Sequence, residues 1–143
     1  MKKFIFLLAI FTTFVNPAFS ISNWVQISEK MYMDTNSLRK ENRFGLNSGS
    51  YYSIWTKWLN DGSQIFIDAE LQNKTKVWYF LYQGYIDCYN KQYAVKSYVS
   101  YDLNNDLLGS FTATDYQLSF SSIPPGSVAE NLYNYVCQYS NSR

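Results

Sequence analysis

The chain has 143 residues, with 12 lysines and arginines against 11 acids and a formal net charge of +1. That balance, without any basic block, argues against a nucleic-acid or anionic-membrane partner. The absence of histidine removes the side chain most used as a general base near neutral pH and as a zinc ligand.

The amino end reads as a secretory signal peptide over residues 1–20. Lys2 and Lys3 precede an apolar run from Phe4 to Val15, Asn16-Pro17 breaks it, and Ala18-Phe19-Ser20 offers small residues for cleavage. The run is shorter than the roughly 20 apolar residues a membrane span needs. No cysteine follows the cut for lipidation, so the expectation is an exported chain without a membrane anchor, leaving residues 21–143 as a single domain.

Trp24 to Ile27 and Met31 to Asp34 predict two short strands or one bent one, and the polar residues 35–50 a loop or partly ordered hairpin. Tyr51 to Leu59 is aromatic and β-branched and predicts a strand that stops at Asn60-Asp61-Gly62, a strong turn signal. Gln64 to Leu71 then reads as the returning strand. Val77 to Cys88 is the clearest strand. Period-two counting puts Trp78, Phe80, Tyr82, Gly84, Ile86 and Cys88 on a core face, and Val77, Tyr79, Leu81, Gln83, Tyr85 and Asp87 on the other. Gly84 marks a bulge or a close backbone approach. Gln92 to Tyr101 should pair antiparallel with it. There, Tyr93, Val95, Val99 and Tyr101 share a face opposite Lys96, Tyr98 and Ser100. Leu107 to Ala113 adds another strand.

Pro124-Pro125-Gly126 ends the strand pattern. Ser127 and Glu130 form a capping box, with the Glu130 carboxylate expected on the Ser127 N–H. The helix that follows gathers Val128, Ala129, Leu132, Tyr133, Val136 and Cys137 on one side.

Cys88 and Cys137 are the two cysteines of the chain. In an exported domain they read as one structural disulfide. A redox pair is the alternative, but they lack the two-residue spacing of such motifs. Asp102-Leu103-Asn104-Asn105-Asp106 resembles the start of a calcium loop, yet Leu107 and Ala113 stand where glycine and glutamate are needed, so a polar turn is expected and no metal ligands are assigned. Asp34, Asp68, Glu70 and Asp87 have no spacing that forces a catalytic pair. Asn73-Lys74-Thr75 matches a glycosylation sequon. The residues identify no catalytic set and no cofactor.

The order Trp24, Tyr32-Met33-Asp34, Ser37, Trp55, Ile86-Asp87-Cys88, Ile123-Pro124-Pro125-Gly126-Ser127, Glu130 and Cys137 resembles the surface-adhesin protein E family of small exported bacterial proteins. The resemblance implies an α+β fold, a curved antiparallel sheet packed with a C-terminal helix and tied by a Cys88–Cys137 disulfide. It also implies a non-enzymatic, adhesin-like function, binding host extracellular-matrix or cell-surface proteins. Two departures are a missing lipidation cysteine and a missing tryptophan before the Pro-Gly-Ser segment, where Phe120 is the nearest aromatic. The expected contact surface is the outer face of the strand from Val77, with Tyr79 and Tyr85. The competing expectation is a periplasmic accessory or inhibitor protein that binds another bacterial protein.

Overall fold

The computed structural model describes residues 23–41, 51–67 and 74–141. The expected signal peptide, Asp68, Glu70 and Asn73 lie outside the described residues. The strands are β1 (Trp24–Ser28), β2 (Met31–Glu41), β3 (Tyr51–Ile67), β4 (Lys74–Asp87), β5 (Gln92–Tyr101), β6 (Leu107–Thr112) and β7 (Ser121–Ser122), followed by the helix α1 (Val128–Asn141). The first six lie side by side in sequence order, and β7 pairs with the start of β5, beyond the reach of β6. Every pairing is antiparallel. The result is the expected α+β fold, an open antiparallel sheet with one C-terminal helix.

Bulges account for most departures from the sequence reading. Residues 35–41, expected in a loop or a partly ordered hairpin, extend β2, and Arg39 to Glu41 pair with β3. Between Asp34 and Arg39 the strand holds more residues than its partner, and Ser37 repairs the ladder. Its hydroxyl donates to the Asp34 carbonyl (2.7 Å) and accepts the Trp55 N–H (2.8 Å). The Asp61-Gly62 signal makes no hairpin. β3 runs through it, and pairing with β4 resumes from Leu59–Tyr79 to Gln64–Val77. Asn60 spans the gap, its side-chain amide donating to the Val77 carbonyl at 2.9 Å. An extra residue in one strand locally bends it and raises its twist.

The third bulge reverses a face assignment. Gln83 pairs with Ser97 and Gly84 with Val95, which leaves Lys96 unpaired in β5. Residues beyond it therefore switch sides. Val95 and Tyr98 share the face of Gly84 and Tyr82, whereas Val99 and Tyr101 lie on the other. The freed Lys96 anchors the segment after β6. Its carbonyl accepts the Ala113 N–H at 2.8 Å, and its ammonium meets Asp115 at 3.0 Å.

The core lies where α1 crosses one end of the sheet. Met33, Ile54 and Ile86 pack against Leu132, Val136 and Cys137. The Cys88–Cys137 disulfide closes this contact, with Cα atoms 5.7 Å apart. At the helix start the Ser127 hydroxyl accepts the Glu130 N–H at 3.2 Å, as the capping box predicts. The return bond differs: the Glu130 carboxylate accepts the Gly126 N–H and meets the Lys91 ammonium, both at 2.6 Å. The Ser127 N–H instead points to the Pro124 carbonyl. Gly126, at φ 70°, makes the turn that brings its N–H into reach.

Candidate functional site: an open aromatic face

Residues paired across an antiparallel ladder point to the same side. The register therefore places Trp58, Phe80, Tyr82, Tyr98 and Phe111 on the face that carries α1. The helix covers only the Met33–Ile54–Ile86 end. Beyond it a band of rings continues across β4, β5 and β6. Successive ring centroids are 5.7 Å apart for Phe80–Tyr82, 6.2 Å for Tyr82–Tyr98 and 5.8 Å for Tyr98–Phe111. The band is partly open: Trp58 is 39 %, Tyr98 38 % and Phe111 45 % exposed. Burial, followed by the neighbouring Tyr98, pushes the Tyr82 hydroxyl pKa up.

A cavity of about 390 Å³ opens where the band meets α1. Trp58, Phe80, Tyr82 and Tyr93 supply aromatic walls, Val128 and Leu132 the helix side, and Gly84 lies in its lining. Such an arrangement offers apolar contact area and ring faces, and no acid or base stands among the described residues that line it.

The described carboxylates among those singled out in the sequence serve local turns. Asp34 accepts the Asn36 N–H, and Asp102 accepts the N–H groups of Asn104 and Asp106. Asp87 is 1 % exposed and accepts from the Tyr89 N–H, the Asn90 N–H and the Asn90 side-chain amide. Among the described residues no group of three His, Cys, Asp or Glu could hold a metal ion. No helix among them is long and apolar enough to cross a membrane.

Tyr79 and Tyr85 sit on the opposite face and do not form one open surface. Tyr85 is 3 % exposed. The chain after β6 passes over this face, where Phe120 meets the Tyr51 ring edge-on at 5.5 Å. Tyr79 is half-buried against Tyr101 (centroids 4.9 Å apart), with the Lys57 ammonium 4.1 Å from its ring centre and its hydroxyl donating to Asn105. The residues that do form an open band, Tyr98 and Phe111, escape a period-two count because the Lys96 bulge inverts the phase of β5. The one sequence signal for Phe111 is a bulky ring in the otherwise aliphatic and small Leu107–Thr112 strand.

A family model described as surface-adhesin protein E matches residues 24–138. Among solved structures, crystal form II of Haemophilus influenzae protein E superposes with a TM-score of 0.60 at 12% identity, covering 87% of this chain and 94% of that one. A second structure of Haemophilus influenzae protein E gives 0.59 at 12% identity over 89% and 92% of the two chains. Protein E from non-typeable Haemophilus influenzae gives 0.59 at 13% identity over 88% and 82%. At these identities the likeness shows a shared fold. No curated protein matches the chain.

Proposed function

We propose that this chain, which belongs to the surface-adhesin protein E family, is an exported binding protein that contacts host extracellular-matrix or cell-surface proteins without catalysis. Family membership supports an adhesin-like surface protein. The reading adds export through residues 1–20, a mature domain over residues 21–143, and a contact surface.

The aromatic band is the observation that carries the surface assignment. Protein interfaces favour rings with a polar tip, and their energetic centres concentrate in aromatic residues with adjoining pockets. Trp58 and Tyr98 provide such rings, Phe111 adds an apolar one, and the cavity beside them provides the pocket. Tyr79 and Tyr85 are replaced in this role, because one is sealed and the other is engaged with Tyr101 and Lys57.

The test is binding of the oxidised protein to a reconstituted basement-membrane extract, paired with cell fractionation. Saturable binding at micromolar protein, reduced at least roughly tenfold by the double substitution Tyr98→Ser and Phe111→Ser, supports the reading. Retention inside the outer membrane with no matrix binding would instead favour a periplasmic accessory role.

A further inference from the structure

The lining of the cavity beside α1 contains a glycine that the backbone does not require. Gly84 lies inside β4, where glycine weakens a strand by adding chain entropy and packing nothing. Its φ is not in the left-handed region, unlike that of Gly126. A Cβ built on Gly84 would have one neighbour within 4 Å, the Ala94 carbonyl oxygen at 3.7 Å, an ordinary contact. A Cβ would thus fit the fold, and what it would face is the cavity, which Gly84 lines between Tyr82 and Ile86. The missing side chain keeps this space open.

The character of the space defines its occupant. No acidic or basic residue lies among the described residues that line it. Two polar side chains in the wall already serve the backbone: the Asn60 amide donates to the Val77 carbonyl, and the Thr56 hydroxyl points to the Tyr82 carbonyl. The other polar tips in the wall, the Tyr82 and Tyr93 hydroxyls and the Trp58 indole N–H, are carried on aromatic rings. An apolar ligand would meet Trp58, Phe80, Val95 and Leu132, together with Met31, whose flexible thioether adapts to irregular shapes. The volume, about 390 Å³, falls within the roughly 300–1,000 Å³ of small-molecule sites.

We propose that this cavity binds a single uncharged aliphatic chain, alkyl or acyl, lying over Gly84 between the sheet and the first turns of α1. The uncharged, largely apolar lining sets the class: it accepts the chain and leaves any ionised head group in solvent. This site shares Trp58 and the cavity with the proposed protein contact, but decanol binding is tested at Gly84 and matrix binding at Tyr98 and Phe111, so the two failures are distinguishable.

The experiment uses the folded, oxidised protein and n-decanol, read by tryptophan fluorescence and by displacement of the neutral dye N-phenyl-1-naphthylamine. Methyl β-glucopyranoside and indole serve as competitors of other classes. The expected result is saturable one-to-one decanol binding, with neither competitor displacing the dye at equal concentration. Gly84→Val, which fills the lining, should weaken decanol binding roughly tenfold or more, the contact of about two methylenes, while keeping the native circular dichroism spectrum. Trp58→Ala, at a partly exposed position, provides a second variant and should also weaken binding. Absence of saturable decanol binding, unchanged affinity in a folded variant, or stronger displacement by the glucoside or indole would overturn the proposal.

Discussion

Lys91 and Glu130 stand 39 residues apart in sequence, yet the Lys91 ammonium lies 2.6 Å from the Glu130 carboxylate. This pair is one point of a three-point clasp on the turn after β4. Tyr133 donates its hydroxyl to the Cys88 carbonyl at 3.1 Å, and Cys137 closes the disulfide to Cys88. Residues 130, 133 and 137 recur at the spacing that places side chains on one helix face. The clasp fixes where α1 lies, and so how much of the aromatic face stays open.

Acid should loosen the first point. The hydrogen bond from Lys91, and then that from the Gly126 N–H, hold the Glu130 carboxyl below its ordinary value of 4.5. A depressed folded-state value stabilises above the unfolded value and is lost as pH falls through the folded one. Glu130→Gln should therefore lower the urea midpoint at about pH 7, with the gap to wild type closing as pH falls below 4.5. A gap that stays constant over this range would show that the charge is irrelevant.

Removing the disulfide should cost far more. A bridge with a sequence separation of 49 stabilises by about 4 kcal/mol on the chain-entropy estimate, a large share of the roughly 5–15 kcal/mol typical of a domain. Guanidinium unfolding of a Cys88→Ser, Cys137→Ser variant should show most of that loss. A deficit below about 1 kcal/mol would mean that the other clasp points suffice.

Asp87 is a structural carboxylate despite its adjacency to Cys88. Asp87→Ala would remove the buried acceptor of two backbone N–H groups and the Asn90 side-chain amide, donors that lie on exposed Tyr89 and Asn90, a loss of about 1–2 kcal/mol. Thermal melting should fall by several degrees.

The pH response at the alkaline end has the opposite sense. Burial comes first in raising Tyr79 and Tyr82 above the ordinary value of 10.0, with Tyr101 and Asp102 adding at Tyr79 and Tyr98 at Tyr82. Their contribution is fully present below that value and is lost as pH rises through the folded values. Ultraviolet titration should show a late-ionising tyrosine fraction that disappears in denaturant.

β3, β4 and β5 were legible because each has a run of aromatic and β-branched residues, and Ser127, Glu130 and Cys137 marked the helix and its tether. Bulges were not legible. Asn60-Asp61-Gly62 carries turn chemistry that a paired neighbour, β4, absorbs as an irregularity within one long strand. Lys96 looks like an ordinary outward lysine, yet its lack of a partner moves Tyr98 to the helix-bearing face. The candidate site depends on that shift, so local alternation selected Tyr79 and Tyr85 instead. Which face the segment after β6 covers depends on contacts such as Tyr51–Phe120, distant in sequence.

The most direct test of the account is oxidative footprinting of the protein free and bound to basement-membrane extract. Trp58, Tyr98 and Phe111 should lose labelling on binding, while Tyr89 and Tyr116, which are 79 % and 101 % exposed, should keep theirs. Protection confined to Tyr79 and the opposite face, with Tyr98 and Phe111 labelled as before, would contradict the assignment of the aromatic band as the contact surface.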